Sequence, residues 1–185
     1  MAKLGGEIAS TLRDGREVRV RSAQARDARP LRELIDGVAA EPQVTLLVLP
    51  GQVDARAWRR RITAAAADPR SILLTAVAGG ELAGNLGVHP DPHPCSAHVA
   101  WIGMSVAAQW RGLGVGGALL EAAAGWAAAN GVDKLVLSVF PHNGRAISFY
   151  ERQGFVREGL RRAHFRRAGE YHDEVLMARF LTTPL

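Results

Sequence analysis

The chain has 185 residues, of which 48% are hydrophobic and 22% charged, a composition that suits one domain with a buried core and excludes a largely disordered chain. Its formal net charge is +5 and its basic residues are nearly all arginine, which favours acidic partners such as phosphates, anionic cofactors or nucleic acid, although a solvated basic surface explains the charge equally well. The single Cys95 excludes an internal disulfide framework, and the lack of a secretory signal or of an apolar run of roughly 18–20 residues leads us to expect a cytoplasmic protein.

Hydrophobic periodicity predicts alternating strands and helices along the chain. Residues 1–15 are mixed in character and are expected to form an N-terminal arm, either loose or with a small helix. The predicted strands are 16–23, 71–78, 81–88, 98–106, 134–140, 155–165 and 170–180. The predicted helices are 27–40, 54–69, 114–131 and 144–154. This order makes the strands on either side of the third helix parallel, with a right-handed crossover.

The stretch QWRGLGVGGALL, residues 109–120, places a cluster of glycines at the start of the third helix. Glycine weakens a helix interior by about 1 kcal/mol relative to alanine, so the cluster indicates an unusual turn or a ligand close to bare N–H groups. The first N–H groups of a helix have no partner within it and carry the positive end of its dipole, which suits a pyrophosphate. Arg111 could add a charge-assisted bond. Tight packing of the helix on the sheet is the structural alternative.

Three phosphate-binding patterns compete for this segment. The Walker pattern fails because Gly117 is followed by Ala118 rather than by Lys and Ser or Thr. A dinucleotide pattern, G-x-G-x-x-G, is met from Gly112 onward, but no carboxylate ends the next strand. The third pattern is R-x-x-G-x-G, in which Arg111 is followed by Gly114 and a second glycine.

The third pattern leads to a family resemblance. The segment SVAAQWRGLGVGGALLEAAAGWAAANGV, residues 105–132, resembles the acyl-CoA-binding motif of the GNAT superfamily of N-acetyltransferases. The segment NGRAISFYERQGFVREG, residues 143–159, resembles that superfamily's next motif, N-x-x-A-x-x-x-Y-x-x-x-G-F. Together with a closing hairpin like that of many bacterial members, the match runs from about residue 98 to residue 177, nearly half of the chain.

The resemblance implies an α/β (α+β) fold in a single GNAT-type domain over residues 16–185. Its mixed central sheet would have about six to seven strands, splayed between the fourth and fifth, with helices on both faces. The implied reaction moves an acetyl group from acetyl-CoA, the co-substrate, to a primary amine by direct attack in a ternary complex, without a metal. By motif, the expected cofactor-binding residues are Met104, Ser105, Val106, Arg111, Gly112, Leu113, Gly114, Val115, Gly116, Gly117 and Asn143.

The resemblance also implies catalytic residues. Tyr150 matches the family tyrosine that protonates the leaving thiolate, with core packing as its structural alternative. The family pattern fails for the general base, because two positions that often hold glutamate carry Trp101 and Ser138. His98 is the nearest imidazole, and Ser138 could relay a proton through water. Other candidates for the general base stay open: a chain of waters, an amine that binds already neutral, or one of the side chains of His142, His164, His172, Asp173 and Glu174.

Other functions remain as alternatives. An acetyl-CoA-binding regulatory module without turnover is supported only by the missing glutamates. A nucleic-acid role rests on charge alone and is unfavoured. A metal site or a covalent role at Cys95 lacks regular ligand spacing. The acceptor could be a small amine, an amino acid, an antibiotic or a protein N-terminus, and the resemblance allows a homodimer.

Overall fold

A computed structural model describes residues 3–43 and 45–182 of the chain. Its strands are β1 (Ile8–Thr11), β2 (Glu17–Ser22), β3 (Ile72–Ala78), β4 (Glu81–Pro90), β5 (Val99–Val106), β6 (Lys134–Val139), β7 (Val156–Arg167) and β8 (Glu170–Phe180). Its α-helices are α1 (Ala28–Ala39), α2 (Ala55–Ala67), α3 (Val115–Ala129) and α4 (Gly144–Arg152). None of the helices in the described residues is long and apolar enough to cross a membrane.

All the strands join one mixed sheet in the order β1-β2-β3-β4-β5-β6-β8-β7, with β5 and β6 parallel and the other neighbours antiparallel. The expected fold class is confirmed, although the described residues contain eight strands rather than six to seven. The additional strand is β1, which lies within the expected N-terminal arm and pairs with β2 through a turn at Gly15, where φ is 85°. These residues therefore form neither a loose arm nor a small helix. The domain boundary at residue 16 stays a prediction.

The sheet opens between β5 and β6, as expected. Val99, Ala100 and Trp101 pair with Lys134, Leu135 and Val136, and no further pairing joins these two strands within the described chain. Beyond Trp101, β5 continues to Val106 while the strands diverge. The opening therefore faces the carboxyl ends of two adjacent parallel strands, a common position for ligands in α/β sheets.

Helices cover both faces of the sheet, which confirms that part of the prediction. Alternate residues of a strand point to opposite faces. On one face, Leu74 of β3 packs in a core with Leu119 of α3 and Ile147 of α4. On the other, Leu73 packs in a second core with Leu31 of α1 and with the apolar side of α2.

A buried ion pair anchors the start of α1 to β2. Arg21 donates to both carboxylate oxygens of Asp27, at 2.6 and 2.9 Å, and Asp27 also accepts from the Gln24 N–H at 2.7 Å. Burial opposes ionisation of Asp27, but the hydrogen bonds from Arg21 and Gln24 outweigh it and hold the pKa of that carboxyl below its usual range. This anchor fixes the direction of α1, whose far end reaches the opening in the sheet.

Candidate active site

The last residues of β5 present backbone groups to the opening between β5 and β6. The Ala107 N–H donates to the Ala83 carbonyl of β4, at 2.9 Å. Because backbone groups alternate in direction along a strand, those of Met104 and Val106 then face the opening, whereas those of Ser105 face β4. The structure thus directs two of the three predicted pantetheine contacts toward the opening, and Ser105 away from it.

The glycine loop follows β5 and begins α3. Gly112 and Gly114 have φ of 78° and 113°, a left-handed conformation that glycine adopts without strain, and Gly114 is the N-cap of α3. A Cβ at Gly116 would lie 3.3 Å from Phe149 Cζ and 3.4 Å from Met104 Cε, so close packing explains this glycine. Gly112 and Gly114 therefore make the sharp turn before α3, and the first N–H groups of a helix, which have no partner within it, suit a phosphate.

The N-terminal hairpin supports the glycine loop. The Arg13 N–H donates to the Leu113 carbonyl at 2.9 Å, and its guanidinium donates to the Gly112 carbonyl at 3.3 Å. An exposed cation, Arg145, lies on the other side, with Nη2 3.9 Å from the position of a Cβ on Gly112. Neither arginine belongs to a sequence pattern that predicts a role for it.

The side chain of Arg111 is engaged by protein groups. Its Nε donates to the Val106 carbonyl at 2.8 Å, and its two terminal nitrogens donate to the carboxylate of Glu41 at 2.8 and 2.5 Å. About a quarter of each side chain is exposed, 24% for Arg111 and 25% for Glu41. This arrangement differs from the predicted contact of Arg111 with a pyrophosphate, which stays a prediction.

Residues 39–43, at the end of α1 and the start of the following loop, border the opening on three sides. Glu41 binds Arg111 after β5, and Gln43 Nε2 donates to the His142 carbonyl after β6, at 3.0 Å. The Ala39 carbonyl accepts from Arg167 at the tip of the β7–β8 hairpin, at 3.5 Å. The mouth of the site is therefore formed by four separate segments of the chain.

Tyr150 and Asn143 lie on or beside α4. The Tyr150 ring is buried between Phe149 and Phe155, with centroids 5.2 and 5.4 Å away. Burial raises the pKa of Tyr150 well above the usual range of a phenol. Asn143 caps α4, since its side-chain oxygen accepts from the Ala146 N–H at 3.2 Å.

Aromatic rings gather where β6 ends, around Phe140. We call this group the Phe140 cluster: the ring of Phe140 stacks on His142 at 5.3 Å and meets Phe165 and His172 edge-on at 6.4 and 5.4 Å. These rings come from the segment that follows β6 and from both strands of the closing hairpin. The cluster therefore forms one wall of the opening.

Beside the Phe140 cluster, a buried carboxylate is already paired. Glu174 accepts from Arg161 at 3.2 Å, and His164 Nε2 lies 3.6 Å from the same carboxylate. The neighbouring Asp173 accepts from the N–H of Ala163, which lies in an irregular stretch of β7 with φ of 50°. Both carboxylates therefore support the shape of the hairpin.

The structure separates His98 from the other predicted catalytic residues. His98 is exposed and precedes β5, where its carbonyl accepts from the N–H groups of Asp133 and Lys134 at 2.8 and 3.1 Å. Val106 lies eight residues further on, roughly 26 Å along an extended strand at about 3.3 Å per residue. This position lies at the closed end of the sheet, far from Val106, and the role of His98 as a general base stays a prediction.

Ser138 and Tyr150 lie on opposite faces of the sheet. Leu137 and Val139 of β6 point into the α3 core, as does Tyr150. The exposed Ser138 between them therefore points toward the α1 side, the face that the Phe140 side chain also shares by alternation. The structure thus brings Ser138 into the opening but away from the phenol.

Trp101 occupies a position where many proteins with this motif have glutamate. Its side chain is held away from the opening. Its Nε1 donates to Asp91 at 3.0 Å. The Asp91 N–H in turn donates to the Val99 carbonyl at 3.0 Å, which places this carboxylate beside the paired end of β5. The indole therefore lies toward the closed end of the sheet.

A mixed sheet that opens beside a glycine loop, with a tyrosine on the next helix, is the arrangement expected of an acyl-CoA-dependent N-acyltransferase. The model of the Acetyltransferase (GNAT) family matches residues 41–155. The chain is 32% identical to the L-amino acid N-acetyltransferase AaaT of Escherichia coli (strain K12), over 88% of this chain and 98% of that protein. The chain therefore belongs to the GNAT acetyltransferase family.

Solved structures agree on the fold. A GNAT-family acetyltransferase from Streptococcus pneumoniae is similar with a TM-score of 0.80 at 23% identity, covering 89% of this chain and 99% of that one. The structure of yncA from Salmonella typhimurium with its cofactor acetyl-CoA is similar with a TM-score of 0.81 at 16% identity, covering 91% and 96%. The predictions of a GNAT N-acetyltransferase with acetyl-CoA as co-substrate are confirmed.

Proposed function

We propose that this protein acetylates the α-amine of an L-amino acid. Acetyl transfer follows from family membership, and the amino-acid acceptor is supported by the likeness to an L-amino acid N-acetyltransferase along nearly the whole of both chains. The observation that carries the site is the unpaired side of β5 beyond Trp101, next to the glycine loop. Donor and acceptor would meet there in a ternary complex.

The residues at the opening fit an extended thioester whose far end is a diphosphate. The backbone groups of Met104 would pair with the pantetheine arm as a neighbouring strand would, while the Val106 N–H is left for the thioester and the Val106 carbonyl accepts from Arg111. Bare N–H groups at the start of α3 and the exposed charge of Arg145 would hold the diphosphate. Asn143 would donate to the pantetheine arm through its side-chain nitrogen, because its oxygen already caps α4.

Two groups of this chain, the Val106 N–H and Tyr150, would act on the reacting atoms. The amine nitrogen forms a bond to the acetyl carbon as the carbon–sulfur bond breaks, so charge develops on the carbonyl oxygen and then on the sulfur. The Val106 N–H faces the opening and would stabilise the oxygen. Tyr150, whose phenol is protonated at neutral pH, would donate its proton to the sulfur. The proton lost by the amine would pass to water or to the imidazoles of the Phe140 cluster.

The test is release of coenzyme A thiol, followed with a thiol-reactive chromophore. Acetyl-CoA is offered with the common L-amino acids, with small amines that lack a carboxylate and with a short peptide, and products are identified by mass spectrometry. We expect thiol release to depend on an L-amino acid and to yield its N-acetyl derivative. Binding of acetyl-CoA without thiol release from any amine would favour the regulatory module, and absence of binding would overturn both functions.

Three expectations stay predictions. The homodimer, the cytoplasmic location and a domain boundary at residue 16 are proposed, although residues 8–11 of the expected arm form an edge strand of the sheet. Gel filtration with light scattering, localisation of a tagged chain and limited proteolysis test them in turn.

A further inference from the structure

Arg167 is a half-buried cation without a carboxylate partner among the described residues. Its Nε is shielded from solvent and has no hydrogen-bond partner. Its only hydrogen bond within the described chain is a long one, 3.5 Å, to the Ala39 carbonyl. Glu170, which lies opposite it in the hairpin, is exposed and forms no ion pair with it.

The other arginines that are not exposed are all paired. Within residues 3–43 and 45–182, these are Arg21 with Asp27, Arg111 with Glu41 and Arg179 with Glu121. A guanidinium that is partly withdrawn from water without a counter-charge is unfavourable, and the carbonyl end of α1 compensates only in part. The exception at Arg167 therefore indicates a missing anion.

Arg167 lies at the mouth of the site on the acceptor side. Residues two apart on a strand share a face, so Arg167 is on the same face as Phe165. Phe165 belongs to the Phe140 cluster, at the end of β6. The contact with Ala39 places the guanidinium next to residues 39–43, which border the opening.

We propose that Arg167 binds the α-carboxylate of the acceptor and so selects amino acids over amines that lack this group. The inference rests on the proposed function, because it takes the acceptor to be an amino acid. A guanidinium presents planar paired donors that match a carboxylate. Arg167 is then a specificity-determining residue, and the reacting atoms are handled by other groups.

The experiment compares Arg167→Met with Arg166→Met. Arg166 is the adjacent residue, exposed, over the Tyr171 ring with a distance of 5.5 Å, and it faces the other side of the strand. The substitutions remove the same charge one position apart, so they separate a local contact from a general electrostatic effect. Arg167→Lys keeps the charge without the planar fork and serves as a second, milder variant.

The acceptors are the best L-amino acid of the panel and the amine that lacks only its carboxylate. We expect Arg167→Met to raise KM for the amino acid about 10- to 100-fold, the range for a hydrogen bond to a charged group, with kcat little changed. KM for the decarboxylated amine and for acetyl-CoA should stay within about twofold, Arg167→Lys should be intermediate, and Arg166→Met should match the wild type.

The results distinguish this inference from the proposed function. A purely structural role, in which Arg167 caps α1, would change both acceptors and the melting temperature alike and would overturn the inference. So would wild-type protein that acetylates amines with no preference for a carboxylate, although acetyl transfer would then stand. Failure of every amine to release thiol would instead overturn the proposed function, and this inference with it.

Discussion

The bond between Glu41 and Arg111 gives the sharpest test of how the donor site is built. Arg111 joins the end of β5 to the loop after α1, since the same guanidinium binds the Val106 carbonyl and Glu41. In the sequence-based interpretation, Arg111 instead binds the pyrophosphate directly. The two arrangements predict opposite effects of Glu41→Gln on the affinity for acetyl-CoA.

The size of the coupling free energy between Arg111 and Glu41 follows from the partial burial of both side chains. Exposed ion pairs contribute up to about 1 kcal/mol, and truncation of one partner of a buried pair costs about 3–5 kcal/mol. With about a quarter of each side chain exposed and two hydrogen bonds between them, we expect a coupling of about 2 kcal/mol. That value corresponds to a factor of roughly 30 in an equilibrium constant.

The assay is a double-mutant cycle with Glu41→Gln, Arg111→Met and the combined variant, read by urea denaturation and by calorimetric titration of acetyl-CoA. Glu33→Gln is the matched control, because Glu33 makes a highly exposed pair with Arg29 and should change stability by less than about 0.5 kcal/mol. If Arg111 is a structural link, Glu41→Gln and Arg111→Met both weaken acetyl-CoA binding or leave it unchanged. Tighter binding by Glu41→Gln would show that Glu41 competes with the pyrophosphate for Arg111, and would refute the structural link, as would zero coupling in the denaturation cycle.

Three further predictions concern the loop, the acid and the anchor of α1. Gly114→Ala places a Cβ at a residue with φ of 113°, so it should cost about 1–2 kcal/mol of stability and weaken acetyl-CoA binding, measured by calorimetry. Gly125→Ala is the control, because a Cβ there lies in open space on the same helix, and it should leave binding unchanged. Tyr150→Phe should lower kcat about 100-fold or more with little change in melting temperature, and equal effects from the exposed Tyr171→Phe would contradict an acid role. Because the folded-state pKa of Asp27 is below the ordinary value near 3.9, its ion pair stabilises the protein above about pH 5 and loses this contribution as pH falls through the folded pKa. The free energy of unfolding of Asp27→Asn should therefore fall less than that of the wild type between about pH 5 and pH 2. An equal fall in the two proteins, measured by urea denaturation at each pH, would count against the buried pair.

Local chemistry explains what the sequence predicted well. Gly112 and Gly114 adopt left-handed conformations that few other residues tolerate, so their presence reports the turn before α3 directly. At Gly116, Phe149 and Met104 leave little room for a Cβ, so close packing also accounts for the residue type, and its predicted contact with the cofactor stays a prediction. Sequence patterns cannot separate these two causes, because both require the same residue type.

Partners that are distant along the chain explain what sequence reasoning missed. Arg111 and Glu41 are 70 residues apart, and Arg167 and Ala39 are 128 apart, so no local pattern couples them. The strand β1 was missed because Ile8–Thr11 is short, lies at an edge and is largely exposed, which weakens its hydrophobic alternation. Each of these features depends on how the sheet brings separate segments together.

The route of the amine proton follows from which side chains remain at the opening. Trp101 cannot accept a proton and is drawn toward the closed end by Asp91, while Glu174 is paired with Arg161. The imidazoles of His142 and His172 contact Phe140, and an imidazole can take a proton near neutral pH. We therefore expect the amine proton to pass to water or to these imidazoles when the acceptor attacks the thioester.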